Sequence, residues 1–313
     1  MVLRLDGAVV LITGAGRGLG RVYASYLGSL GAHVVINDLG VGSDGLGRSA
    51  EPAETAASEI VATGGSAEAD ASDIASAEEV QQLVDRLIAR HGKIDALVNN
   101  AGIFLPPEPF EQSQFDAFEL SWRSHFGSTY HLCRAVLPHM RKANAGRIVN
   151  TCSVQGLYGA AATAAYASAK GAVMSLTLSL AASVRGSGIA VNAISPGAFT
   201  RMVDDAARDP AYKAALARNL SADFVAPAVA WLCHPDCREN GTILEAFAGS
   251  FSRTVISQAE GFWDFTPTID TVARGFAALD EGRADRATDS TIHAAAVIAA
   301  AEARRSAPGE MPA

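Results

Sequence analysis

Little in this chain suits it to a membrane or to nucleic acid. No apolar run approaches the roughly 18 residues that a bilayer span requires; the Ala-rich stretch 294–301 is short and ends at Glu302. No polybasic tract is present, and 25 Lys and Arg against 33 Asp and Glu leave a net charge of -8, which argues against nucleic acid or an anionic membrane as the main partner. Cysteine is scarce. Of Cys133, Cys152, Cys233 and Cys237 only the last two are close, in CHPDC, and a zinc site would need a second pair of ligands. We therefore expect free structural thiols and no metal. Asp6 interrupts the amino-terminal stretch where a signal peptide would be apolar, so a cytoplasmic protein is expected.

What the chain does have is apolar content, 49% over 313 residues, enough for one large domain with a small appendage. Val9 to Thr13 (VVLIT) is a continuous apolar run of the kind a strand buried on both faces shows. Further strands are expected at 33–39, 67–69 (weakly), 94–98, 147–151, 189–194 and 243–247, with helical patterns running from the first glycines to Leu30 and at about 52–63, 77–90, 112–140 and 164–185. Seven alternations of strand and helix predict an α/β fold, a doubly wound parallel sheet with helices on both faces. The Gly-rich stretch 40–52 reads as a loop. Beyond about Ser250 the rhythm fades, with helices expected at about 266–280 and 288–305 and a disordered end. The expected division is a catalytic domain over 1–250 and a partly helical extension over 251–313.

The first strand runs into Thr13-Gly14-Ala15-Gly16-Arg17-Gly18-Leu19-Gly20. Glycines there allow a sharp turn and let a pyrophosphate approach the amino end of the first helix, whose amides and dipole favour negative charge. Asp38 ends the second strand, eighteen residues beyond Gly20. A carboxylate there accepts hydrogen bonds from ribose hydroxyls and repels a 2′-phosphate, which favours NAD over NADP. Arg17 pulls the other way, since it could contact that phosphate, pair with Asp38 or lie over the adenine. Asp73-Ile74, after the third strand, could hold the adenine amine, or Asp73 could cap the next helix.

Tyr166 and Lys170 are four apart in YASAK, on one face of a predicted helix. A phenol beside an ammonium is a plausible proton donor, since the cation favours the phenolate. Ser153 follows the fifth strand, and a strand end can meet the start of the next helix at the carboxyl edge of the sheet, where such folds bind ligands.

The ordered set T-G-x-x-x-G-x-G (13–20), Asn99-Asn100-Ala101-Gly102, Ser153, Tyr166-x-x-x-Lys170 and Pro196-Gly197 resembles the short-chain dehydrogenase/reductase family over about residues 5–250. The resemblance implies a Rossmann-type, seven-stranded sheet and an oxidoreductase. It implies Tyr166 as general acid/base, Ser153 orienting the substrate oxygen, and Lys170 binding ribose and lowering the Tyr166 pKa. It further implies dinucleotide contacts from Gly14, Arg17, Gly18, Leu19, Gly20, Asp38, Leu39, Asp73, Ile74, Asn100, Ala101, Gly102, Tyr166, Lys170, Pro196, Gly197 and Thr200. Most of the family carries an Asn in the helix before the Ser strand, where it holds a water in the Lys proton relay. Here Ser124-His125-Phe126-Gly127 puts His125 in that position. An imidazole can also bond a carbonyl and hold a water, but brings its own titration.

That substitution, with NDLG at 37–40, QGLYG at 155–159, Thr200-Arg201-Met202 and the 225–241 region, resembles the D-3-hydroxyacyl-CoA and 17β-hydroxysteroid dehydrogenase branch of the family and its bacterial stand-alone relatives. Ile103-Phe104-Leu105-Pro106-Pro107 departs from that branch near the substrate mouth. The expected rim is apolar: Phe104, Leu105, Leu157, Tyr158, Phe199 and Met202. Substrate contact is assigned to Ser153, Phe104, Tyr158, Phe199 and Met202, with Arg201 and Arg123 as candidates for CoA phosphates. The expected activity is NAD-dependent hydride transfer on an acyl-CoA or steroid-like secondary alcohol. An NADP-dependent carbonyl or oxoacyl-carrier reductase is the alternative, and a dinucleotide-sensing binder the remoter one. The small residues around 164–172 permit close helix approach, and a homodimer or homotetramer is expected.

Overall fold

The computed structural model describes residues 3–42, 47–198, 216, 218–256, 264–279, 297–300 and 302–303. Among them eight strands form one sheet: β1 Val9–Thr13, β2 His33–Asn37, β3 Ser66–Asp70, β4 Ala96–Asn99, β5 Gly146–Thr151, β6 Ile189–Gly197, β7 Ile243–Phe247 and β8 Ser250–Thr254. Their order is β3-β2-β1-β4-β5-β6-β7-β8. Every pairing is parallel except β7 with β8. The order reverses between β1 and β4, the point where such sheets open a crevice at their carboxyl edge.

Helices cover both faces: α1 Gly18–Ser29, α2 Glu51–Ala62, α3 Ala77–His91, α4 Phe115–Trp122, α5 Ser128–Ala143, α6 Val154–Tyr158, α7 Ala164–Ser183, α8 Ala226–Cys233 and α9 Ile269–Leu279. Side chains alternate along β1. Val10 and Ile12 join the core under α1, α2 and α8, whereas Val9 and Leu11 join the core under α3, α5 and α7. This two-sided burial is why VVLIT is apolar throughout. Each such residue, fully buried, contributes about 1.5–3 kcal/mol.

The expected doubly wound α/β domain is present, with one strand more than the seven anticipated. β8 (SFSRT) is largely exposed and carries no continuous apolar run. It is joined to β7 by Ala248 (φ 55) and Gly249 (φ 81), a two-residue hairpin with both centres left-handed. The sheet thus runs past Ser250, the expected end of the catalytic domain. β2 stops at Asn37 and β4 starts at Ala96, each two residues short of the predicted span. The predicted 112–140 helix is broken: α4 passes into a π turn at Arg123–Gly127 before α5. Ser128 and Thr129 donate their hydroxyls to the carbonyls of Ser124 and His125. α9 matches the helix expected near 266–280; of the 288–305 helix only 297–300 and 302–303 are described, and these are helical.

CHPDC acquires a structural account. Arg147 is buried with a lowered pKa, chiefly through desolvation. Its guanidinium donates to the carbonyls of His234, Gly146, Gly188 and Pro235. The stretch is a carbonyl cage closing the sheet's amino edge, and Cys233 and Cys237 are buried free thiols beside it.

Candidate active site

At the nucleotide end Gly14, Gly16 and Gly20 leave no room for side chains. A Cβ on Gly14 (φ +61) would stand 2.8 Å from the Ala101 Cα, and one on Gly20 would stand 2.2 Å from the Gly14 carbonyl oxygen. The cradle is locked to the switch point by Thr13, whose hydroxyl accepts from the Asn100 and Ala101 amides. Asn100 Nδ2 donates back to the carbonyls of Thr13 and Gly14. α1 begins at Gly18 with no side-chain cap, so its first-turn amides and dipole present partial positive charge at the cradle.

Asp38 stands at the end of β2, its two oxygens accepting from the Gly16 amide (2.9 Å) and the Gly40 amide (2.8 Å). Each oxygen keeps a second acceptor direction. Cradle and carboxylate fit a nicotinamide dinucleotide. Of the alternatives open for Arg17, the structure chooses none: Nη1 donates to the Val41 carbonyl. Arg17 and Arg21 border an open pocket with Gly16, Glu51, Pro52 and Thr55. Leu39 is half-buried, its carbonyl accepting from the Ser49 amide. Asp73 accepts from the Ala75 amide, but the cap of α3 is Ser76, accepting from Glu79. Ile74 is packed into the core beneath α3 and α5.

At the chemical end Ser153 is the N-cap of α6, its Oγ accepting from the Gln155 amide at 3.2 Å. Its hydroxyl is close enough to the Tyr166 phenol to act toward a lower pKa there. Tyr166 and Lys170 lie one turn apart on α7. Lys170 is 4% exposed. It donates to the Thr151 carbonyl at 2.8 Å, and its Nζ sits 5.7 Å from the Tyr166 ring centroid. Burial pushes the Tyr166 phenol up to about 12, opposed by the neighbouring Ser153 side chain. Burial draws Lys170 down to about 8. Desolvation is the largest influence on the Tyr166 phenol, and the Lys170 ammonium is turned to a backbone carbonyl.

His125 lies within the π turn and is 2% exposed. Its ring meets Tyr166 edge-on, centroids 5.1 Å apart. Nε2 is 2.8 Å from the Ile103 carbonyl. A carbonyl only accepts, so Nε2 carries the proton, and Nδ1, buried with no hydrogen-bond partner, presents a lone pair. Desolvation, then the Lys170 charge, holds the imidazole well below its usual titration range. The expected titration of its own is therefore absent near neutral pH. The ring fits because residue 102 is glycine: a Cβ there would stand 2.2 Å from His125 Cε1.

Phe104 packs its edge on Tyr166, centroids 5.3 Å apart. Tyr158 lies beside Thr254 of β8, and burial raises its phenol. Leu105 and Pro106 line a cleft with Phe110, Ala162, Thr163 and Tyr166. Pro196 and Gly197 end β6, and Gly197 is pressed against Phe247. Phe199, Thr200, Arg201 and Met202 lie outside the described residues. The carbonyls of Thr151 and Ile103, which set the directions of Lys170 and His125, have no side-chain signature and could not be read from sequence. Thr13 could have been, as the polar end of an otherwise apolar strand.

Comparison with known proteins points the same way. The family model described as short chain dehydrogenase matches residues 8–211. Peroxisomal multifunctional enzyme type 2 of Mus musculus is 38% identical over 247 residues, 79% of this chain and 32% of that protein, so the chain spans about a third of its length. A solved short chain dehydrogenase from Mycobacterium avium superposes with TM-score 0.77 at 30% identity, covering 93% of this chain and 100% of that one. A 7α-hydroxysteroid dehydrogenase complexed with NADH and 7-oxo glycochenodeoxycholic acid gives TM-score 0.71 at 33% identity, covering 79% and 95%. No helix among the described residues is long and apolar enough to cross a membrane.

Proposed function

The chain belongs to the short chain dehydrogenase family, and from that premise we propose that it is an NAD-dependent enzyme of the cytoplasm. It interconverts a secondary alcohol and a ketone on a D-3-hydroxyacyl-CoA or steroid-like substrate. The observation that carries this reading is the Tyr166 phenol, flanked by the rings of His125 and Phe104 with Lys170 beneath it, and the neighbouring Ser153 hydroxyl, which acts against the upward pull of burial on its pKa.

NAD, when bound, supplies the carbon that accepts hydride. The chain's own groups handle the proton. Ser153 and the Tyr166 hydroxyl hold the substrate oxygen between them; in oxidation the Tyr166 Oη takes the alcohol proton as its own passes to the Lys170 relay, and in reduction it gives its proton to the substrate oxygen and is refilled by the same route. Lys170, drawn down to about 8, exchanges that proton with solvent near neutral pH. His125 acts through its neutral Nδ1, accepting from a water that links Lys170 to the exterior; its Nε2 is committed to Ile103. Gly14, Gly18, Leu19 and Gly20 cradle the pyrophosphate, and Asp38 takes the ribose hydroxyls. Asn100, Ala101, Gly102, Pro196, Gly197 and Thr200 complete the cofactor wall. Asp73, held in its own turn, acts at the adenine from its half-buried edge, and Leu39 and Ile74 contribute apolar contact.

The carboxylate of Asp38 supports NAD over NADP, because a 2′-phosphate beside it is repelled. The pocket bordered by Arg17 and Arg21 favours the second reading, an NADP-dependent carbonyl or oxoacyl-carrier reductase. The apolar flank of Tyr166, Phe104 with Leu105, suits a hydrocarbon scaffold, and the bile acid bound by the 7α-hydroxysteroid dehydrogenase is one such. We further assign Tyr158, Phe199 and Met202 to that scaffold. Phe115, Trp122 and Tyr130, exposed on α4 and α5, support assembly into a homodimer or homotetramer.

The test is steady-state turnover with NAD and NADP against a panel of D-3-hydroxyacyl-CoA thioesters and hydroxysteroids. The expected result is NAD reduction, lowered about 10²–10⁴-fold in Tyr166→Phe with NAD binding retained. No turnover across the panel would overturn the substrate class, and a clear NADP preference would overturn the reading of Asp38.

A further inference from the structure

Far from that site, at the amino edge of the sheet, His33, Glu68 and His91 converge. His33 opens β2, at the opposite end from Asp38. Glu68 is the middle residue of β3, and His91 ends α3. Parallel register sets His33 opposite Ser66, and Glu68, two residues on, shares the face of Ser66. The imidazole rings lie 4.6 Å apart. His91 Nε2 is 2.7 Å and His33 Nε2 3.6 Å from the same oxygen, Glu68 Oε1. One ligand atom from each residue falls within 4.8 Å of the others.

Two details separate this cluster from an ordinary ion pair. His33 Nδ1 is 2.7 Å from the Ser66 hydroxyl, whereas His33 Nε2 is buried with no hydrogen-bond partner. The Ser66 contact can run in either direction; in the tautomer with Nδ1–H donating to Ser66, Nε2 aims a lone pair at an electron-rich carboxylate oxygen, which a cation between them would satisfy. The second oxygen, Oε2, is held by Arg90, which leaves Oε1 as a single ligand atom.

We propose that His33 Nε2, His91 Nε2 and Glu68 Oε1 form a site for a divalent transition-metal ion, zinc by preference. Two imidazoles and a carboxylate are a donor set of that class, whereas magnesium and calcium take oxygen. Zinc bonds of about 2.0–2.2 Å put ligand atoms of a tetrahedron roughly 3.3–3.5 Å apart, a value bracketed by the 2.7 and 3.6 Å separations. Ser66 and Arg90 fix the orientations of His33 and Glu68, as outer partners of metal ligands do. The side chains are 17–24% exposed, so an ion can enter and water can take the fourth position. An ion held there ties β2, β3 and α3 together and stiffens the half of the sheet that ends in Asp38.

The experiment uses the untagged full chain after treatment with chelator, titrated with Zn²⁺ by calorimetry and with Co²⁺ by visible absorption. All four cysteines are buried, so thiolates do not compete in the folded protein. The expected result is one saturable equivalent per chain, tetrahedral Co²⁺ bands and a raised melting temperature. Binding falls by more than about 100-fold in each of His33→Gln, Glu68→Gln and His91→Gln, and by about 10–100-fold in Ser66→Ala. It is unchanged in His139→Gln, and turnover is unchanged in His91→Gln. Circular dichroism checks folding, and Ser66→Ala serves as the mild variant should a ligand substitution disturb the edge. A wild-type chain that binds no zinc, or unchanged affinity in any folded ligand variant, overturns the proposal.

Discussion

Replacing Gly102 with alanine would put a methyl group into the ring of His125. The new Cβ would stand 2.2 Å from Cε1 and 2.4 Å from Nδ1, against about 3.5–4.0 Å for relaxed carbon contacts. The ring must retreat by more than about 1 Å, which breaks its 2.8 Å bond to the Ile103 carbonyl and disturbs its edge contact with Tyr166. Overpacking costs about 1–3 kcal/mol, and orphaning a buried polar group about 1–3 more. A loss of about 2–6 kcal/mol, at roughly 2–4 °C per kcal/mol for a chain of this order, lowers the melting temperature by about 4–24 °C and lowers turnover with it. The decisive assay is a double-mutant cycle on thermal unfolding. In a His125→Ala background the same Gly102→Ala change should cost under about 0.5 kcal/mol, the limit of additivity for independent sites. An equal loss in both backgrounds would locate the damage in the backbone and refute the collision.

Alcohol oxidation needs a proton acceptor at Lys170 and reduction a proton donor, so oxidation should rise and reduction fall as pH increases through about 8. Initial rates in both directions across pH check this; a Lys170→Met variant that keeps the inflection would sink the relay. Asp38→Asn should shift the ratio of NADP to NAD specificity by about 1–3 kcal/mol, roughly 5–150-fold toward NADP; an unmoved ratio of kcat/KM values would remove Asp38 from cofactor choice. His125→Asn should retain substantial activity while His125→Ala loses much of it, with KM for NAD little changed; equal activity in the two variants would return the residue to core packing. Light scattering should give two or four times the chain mass, and a stable monomer would contradict the assembly.

Legibility in the sequence tracked burial. β1 and β2 were visible because strands buried on both faces have no polar half. β3 (SAEAD) is the sheet's polar edge and left only a weak trace, and β8 (SFSRT) left none. The Ser153, Tyr166 and Lys170 positions were legible through spacing and resemblance. Their protonation was not, because it depends on desolvation and on which carbonyl Lys170 faces. The His33, Glu68 and His91 cluster escaped for another reason. Its members are scattered through the chain, and only the β2–β3 register and the length of α3 bring them together.

The π turn at Arg123–Gly127 is, in residue count, an insertion absorbed without a loop. One residue added to a helix rotates the turns before it by about 100° relative to the turns after it. α4 and α5 are therefore two helices of different phase joined without a loop. Deleting a single residue there would leave every kind of side chain in its order, yet swing His125 away from Tyr166 or Trp122 away from the surface. The fourth position of the site is thus written in the chain's arithmetic as much as in its chemistry.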